Sequence, residues 1–136
     1  QQELQWSIMR RVVDQFPHPI SCYREDETIF MVNKAFCELY ECSREDEMTG
    51  RRLQDLLAPD LYRSFIQGDQ ELREKGGHEI VSVLIPSPHG KNIMVPAEKS
   101  VVSIGDGDDR FIFVVIITEH DEHRPWDLIK VQSGEQ

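Results

Sequence analysis

The residues best suited to chemistry are few and scattered. His120, Asp121, Glu122 and His123 put two imidazoles three apart, a spacing that can share one helical face and hold zinc. Pro125 follows closely at the edge of the chain, so a solvated linker is the stronger reading. The run "GDGDD" at residues 105–109 sets carboxylates beside glycines. It lacks the twelve-residue calcium loop and its closing Glu, and reads as a hairpin turn. His78, Ser87 and His89 are close in sequence, but on a strand start and a turn. There is no Gly-x-Ser-x-Gly elbow and no phosphate loop, so no catalytic set emerges and the chain reads as a non-enzyme. Cys22, Cys37 and Cys42 fit no zinc spacing. An odd cysteine count in a well-cored domain points to a reducing, cytoplasmic compartment, with the thiols packed or at the surface.

The chain as a whole narrows the options. Its 136 residues suit one domain with short extensions. A net charge of −10 repels phosphate backbones and anionic lipid, which argues against nucleic-acid contact and membrane docking. No apolar run approaches a membrane span, and the polar, amphipathic start is no signal peptide. A chain that begins without Met reads as a piece of a longer protein, whose other part would carry an output domain.

The elements follow from spacing. "LQWSIMRRVVDQF" is a broad amphipathic helix, stopped by Pro17 and Pro19. "ISCYR" and "TIFMV" read as strands around a charged turn. Asn33 then suits a helix N-cap before "KAFCELYE". Ser43 starts a second short helix, Gly50 breaks the chain, and "LQDLL" adds one more turn. Residues 59–75 read as the long central helix, with Pro59 at its first position and Gly76 and Gly77 at its end. Gly68 lies inside it and lowers local helicity. "HEIVSVLI", "KNIMVPAEKSVVSI" and "RFIFVVIITE" complete the set as strands, with Pro96 implying an edge or a bulge. Helix, two strands, short helices and three strands make an α+β domain: a five-stranded antiparallel sheet with its short helices on one face.

In this order the chain resembles the PAS sensor family. "HPISCYREDETIFMVNKAF" looks like the family's opening hairpin and its Asn-x-x-Phe helix start, here Asn33 and Phe36. "YECSREDEMTGRRLQDLL" keeps Ser43, Glu47 and Gly50 of a second motif, "PHGK" matches the turn between the third and fourth strands, and Thr118 and Glu119 keep the end of the exit motif. Ile116 replaces the Asp usual in that exit, which puts one route of signal transmission in doubt. The resemblance implies boundaries of 1–16 for an N-terminal helix, 17–119 for the PAS core and 120–136 for a linker.

The resemblance also sets strand parity. The pocket lining it implies is Ile20, Cys22, Phe30, Val83, Ile85, Val95, Ala97, Ile112 and Val114, with Leu39, Leu56, Leu61 and Phe65 from helices. This apolar set reads as a filled core. Lys99 shares the inward parity near the mouth, where it would pair with an acid ligand or, more simply, be solvated. Haem is disfavoured because the long helix has no His, and a covalent flavin because "GRRLQDL" lacks the Asn-Cys pair of the light-sensing class. No cofactor is expected.

"FIFVVII" is apolar at every position, although a half-solvated strand should alternate. Phe111, Phe113, Val115 and Ile117 therefore need a cover on the outer face. The first helix offers it through Leu4, Ile8, Val12 and Phe16, with Trp6, Met9 and Val13 beside them. That stripe is wide enough to be shared with a second copy, so a homodimer is expected. The function expected is a cytoplasmic sensor and dimerisation module of a signal-transduction protein. Its rivals are a pure interaction module without a ligand and a non-covalent cofactor-binding redox or light sensor.

Overall fold

The computed structural model describes residues 2–42, 44–87, 90–103 and 109–118, and all their side chains except those of residues 2–6, 9, 45 and 46. Helix α1 (Gln2–Asp14) leads into β1 (Ile20–Tyr23) and β2 (Ile29–Val32). Four short helices follow: α2 (Lys34–Tyr40), α3 (Glu45–Met48), α4 (Leu53–Leu56) and α5 (Pro59–Ile66). Then come α6 (Asp69–Lys75), β3 (His78–Ile85), β4 (Ile93–Ser103) and β5 (Arg110–Ile116). The strands form one antiparallel sheet in the order β2-β1-β5-β4-β3, so the last strand lies beside the first.

Asn33 performs the capping its position called for, and more. Its Oδ1 accepts from Phe36 N at 3.0 Å, which starts α2, and from Ile20 N at 2.9 Å. Its Nδ2 donates to Val13 O at 3.1 Å and His18 O at 2.9 Å. One buried amide thus joins the end of α1, the start of β1, the end of β2 and the start of α2.

Pro96 breaks an expectation. It sits inside β4, between two neighbours, with unbroken register to β3. A residue's N–H and C=O point to the same neighbour in an antiparallel ladder. The Pro96 carbonyl accepts from Ile117 N, beyond the last β5 residue, so its missing N–H faces a place where β5 has already ended. Proline is tolerated because its missing N–H lies beyond the end of the β5 ladder, which starts at Ala97, and would donate no hydrogen bond in the pairing with β3.

The single helix expected over residues 59–75 is two. Gly68 adopts a left-handed backbone, φ 81° and ψ 0°, and separates α5 from α6. Pro59 stands in the first turn of α5 as expected, and Gly76 caps the end of α6. Ser64 Oγ accepts from Leu84 N at 2.8 Å and ties α5 to β3. The Ser43 cap and the 105–108 turn lie outside the described residues.

Two apolar clusters sandwich the sheet. The larger lies under the short helices and holds Phe36, Tyr40, Met48, Leu53, Phe65 and Leu72 with inward residues of all five strands. The smaller lies on the opposite face and holds Val13, Ile20, Cys22, Met31 and Phe111, with Phe30, Val102, Phe113 and Val115 half-buried against it. Helix α1 does cover the outer face, through Val13. Ile8, Val12 and Phe16 were expected on the sheet and point away from it, about half exposed. The side chains of Leu4, Trp6 and Met9 lie outside the described residues.

Candidate functional site

The space between sheet and short helices is where the lining residues were expected. Val83, Ile85, Val95, Ala97, Ile112 and Val114 are buried there, with Leu61 and Phe65 from α5. Leu39 and Leu56 pack against them half-buried.

Three expected lining residues are not there. Ile20, Cys22 and Phe30 belong to the outer cluster. Ile20 and Cys22 pair with Val115 and Phe113 of β5, which sets them on the outer side, opposite to the parity expected for β1. In β2 a bulge displaces the third: Cys22 pairs with Met31 and Tyr23 with Ile29, which leaves Phe30 unpaired. Phe30 and Met31 thus lie on the same side, against the usual alternation. Tyr23 and Ile29, not Cys22 and Phe30, reach the inner core. The Phe30 and Phe111 rings meet edge-on at 5.2 Å, and the Arg24 guanidinium lies 5.1 Å from the Phe111 centroid. Burial pushes the Cys22 thiol up to about 12, against a pull down from Arg24.

Lys99 keeps its inward parity but is not solvated: it is 1% exposed. Its Nζ donates to Asp69 Oδ1 at 2.6 Å and to the Phe65 carbonyl at 2.5 Å. The Tyr23 hydroxyl donates to the other Asp69 oxygen, Oδ2. Burial drives the Asp69 carboxyl above its ordinary range, opposed first by Lys99. Burial, the Asp69 charge and that hydrogen bond together hold Tyr23 protonated well above its ordinary range. The Phe65 ring, 6.0 Å from Lys99 Nζ, and those of Tyr23, Phe36 and Tyr40 pack around one another beside the network. Ser21 Oγ is buried without a hydrogen-bond partner. It shares a transverse row of the sheet with Lys99, across Val114.

Sequence reasoning missed Tyr23 and Asp69. A signal for Asp69 existed, because it continues the stripe of Leu61, Phe65 and Leu72 at helical spacing, and Lys99 of opposite charge shares the inward parity. Tyr23 was hidden by the parity given to β1, which put Ile20 and Cys22 inward and so turned Tyr23 outward.

Behind Asp69 an open cleft of about 1050 Å³ runs between α6, the β1–β2 turn and the start of β5. Its walls carry five carboxylates (Glu25, Glu27, Asp69, Glu71, Glu74) and two guanidiniums (Arg73, Arg110). Asp69 faces the cleft and also belongs to the buried network. The Tyr62 hydroxyl donates to the Glu27 carboxylate, and this bond above all pushes the phenol up to about 12. Among the described residues no group of three or more His, Cys, Asp or Glu side chains is placed to hold a metal ion. Residues 120–123 lie outside them. Among the described residues, no helix is long and apolar enough to cross a membrane.

A five-stranded antiparallel sheet with short helices over one face and an N-terminal helix on the other defines a PAS-type α+β domain. The chain belongs to the PAS family, since the profile of the PAS fold matches residues 7–119. Solved structures agree on the fold. The PAS domain of BvgS from Bordetella pertussis is 16% identical, with a TM-score of 0.65 over 96% of this chain and 95% of that one. A PAS domain from a two-component sensor histidine kinase is 20% identical, with a TM-score of 0.65 over 88% of this chain and 100% of that one. Vibrio cholerae VqmA, solved in a complex with ligand and DNA, is 19% identical, with a TM-score of 0.69. That match covers 98% of this chain and 59% of the VqmA chain. No curated protein matches the sequence.

Proposed function

We propose that this PAS domain is a cytoplasmic sensor and dimerisation module of a larger signal-transduction protein. The observation that carries the reading is the two-sided use of α1. Val13 is buried against the sheet, while Ile8, Val12 and Phe16 offer a second apolar row to solvent. A helix with both rows connects a folded core to a second copy. Asn33 supplies the coupling, because it grips α1 at Val13 O while capping α2 over the inner core. A rearrangement of the core therefore reaches the dimer surface through one side chain, which is how a sensor biases a neighbouring output domain. The PAS domains of a sensor histidine kinase and of BvgS support the signalling context by analogy of fold. VqmA, described as a dimer, supports pairing in the same way.

The domain itself does no catalysis in this reading and holds neither haem nor flavin. With a net charge of −10 it makes no nucleic-acid contact of its own. A purified chain with a visible spectrum would overturn the cofactor part. A pure pairing module is the second reading. The packed inner cluster and the internal pairing of Lys99 with Asp69 favour it. Native mass spectrometry of the chain purified from cells separates the two: an adduct of small-molecule mass supports the sensor, and a bare dimer supports the pairing module. Light scattering at micromolar concentration, with and without residues 1–16, tests both at once. A monomeric full chain sinks the dimer. A truncated chain that stays dimeric removes α1 from it.

A further inference from the structure

In an unbroken helix the Phe65 carbonyl would accept from the N–H of Asp69, four residues on. Here it accepts from Lys99 Nζ at 2.5 Å, and the same ammonium grips Asp69 Oδ1 at 2.6 Å. A cation from β4 has taken the place of a helix hydrogen bond and also holds the first residue beyond the break. A Cβ built at Gly68 meets no atom within 4 Å, so the residue is held left-handed by its backbone and not by crowding around its Cα. Glycine visits left- and right-handed helical backbone with similar ease. The stripe of Leu61, Phe65, Asp69 and Leu72 also keeps helical spacing through the break.

We propose that the α5–α6 break is a two-state joint held bent by Lys99, and that withdrawal of Lys99 Nζ joins α5 and α6 into one helix. The inference gives the core described above its moving part, and only in that use does it rest on the sensor reading. Straightening removes Asp69 from Lys99 and Tyr23 and carries α6 with it. Helix α6 forms one wall of the acidic cleft and touches β5, where Arg110 Nη1 donates to the Arg73 carbonyl at 2.6 Å. The joint therefore links the buried ion pair to the last strand. The charged and titratable groups around Asp69 are Lys99, Tyr23 and Arg73, with Glu27 across the cleft.

The test is backbone NMR of the full 136-residue chain and two variants. The wild type should show left-handed carbon shifts at Gly68. Lys99→Met should show right-handed helical shifts at Gln67 and Gly68, with hydrogen exchange at the Asp69 amide slowed roughly tenfold. A folded Lys99→Met that keeps Gly68 left-handed overturns the proposal. If that variant does not fold, Gly68→Ala decides, because alanine strongly prefers the right-handed backbone. Residue 68 should turn helical, and the Lys99 amine, protected in the wild type, should become open to reductive methylation. A folded Gly68→Ala with residue 68 left-handed and Lys99 still protected overturns it equally. A chain that never dimerises but straightens in these variants sinks the sensor reading and leaves the joint standing.

Discussion

Lys99 Nζ and Asp69 Oδ1 lie 2.6 Å apart with their side chains only 2% and 5% exposed, an ion pair inside a core that is otherwise almost wholly apolar. Taking both charges out of water is expensive, and their attraction with the added Tyr23 and Phe65 bonds offsets it. Breaking such a pair leaves one buried charge alone. Asp69→Asn should therefore lower stability by about 3 kcal/mol or more in chemical denaturation. Asp69→Asn with Lys99→Met should cost less than the two single changes added together, by about 1 kcal/mol or more. Strict additivity would mean that the pair contributes nothing jointly.

Asn33→Ala should cost more than an ordinary helix cap. Losing a cap alone costs about 1 kcal/mol. The Asn33 amide also accepts from Ile20 N and donates to two carbonyls, all at a fully buried site. Orphaned buried groups add about 1–3 kcal/mol. A total near 3 kcal/mol is expected from the denaturation midpoint. A loss of about 1 kcal/mol would reduce Asn33 to its capping bond.

The Cys22 thiol should be slow to label at pH 8 under native conditions. Burial holds it at about 12, against 9.0 for a free thiol, so the reactive thiolate is scarce. The same shift fixes the sign of a pH effect. A raised folded value means that the contribution to stability is fully present below pH 9 and is lost as pH rises toward 12. Tyr23, raised above its ordinary 10.0, adds a loss of the same sign at high pH. Wild type should lose stability over that alkaline window, and Cys22→Ala should lose less of it. An identical alkaline profile in the variant would contradict the burial of this thiol.

Most of the architecture was readable because it depends on local spacing. Alternation, with its parity set by the PAS resemblance, placed Val83, Ile85, Val95, Ala97, Ile112 and Val114 on the inner face, and the unbroken apolar run of β5 announced a covered outer face. What failed depended on partners distant in sequence. Ile20 and Cys22 lie on the outer side because β1 pairs them with Val115 and Phe113 of β5, and the bulge at Phe30 arises from the pairing of β2 with β1. The helix break at Gly68 looked like a mere weak point, because the cation that satisfies Phe65 O comes from β4, 34 residues away. Lys99 looked solvated for the same reason. A lone lysine at an inward position is costly, and only the fold shows the carboxylate that pairs with it.

Adjacent valines on α1 should behave in opposite ways. Val13 is buried against Ile20, Cys22, Met31 and Phe111, whereas Val12 is 53% exposed beside Ile8 and Phe16. Charge at Val13 should damage the monomer: Val13→Asp puts an unpaired carboxylate into the outer cluster and should cost several kcal/mol of stability. Charge at Val12 should spare the fold, because Val12→Asp points to solvent and should change stability by less than about 0.5 kcal/mol. If two copies share this row, the same substitution buries a charge in each copy across a symmetric interface, so its effect counts twice. Dimer affinity should then fall at least tenfold, equivalent to about 1.4 kcal/mol. Analytical ultracentrifugation over a concentration series, read beside thermal denaturation, separates the two outcomes. A Val12→Asp chain that dimerises as tightly as wild type would show that the exposed row of α1 is not the contact between copies.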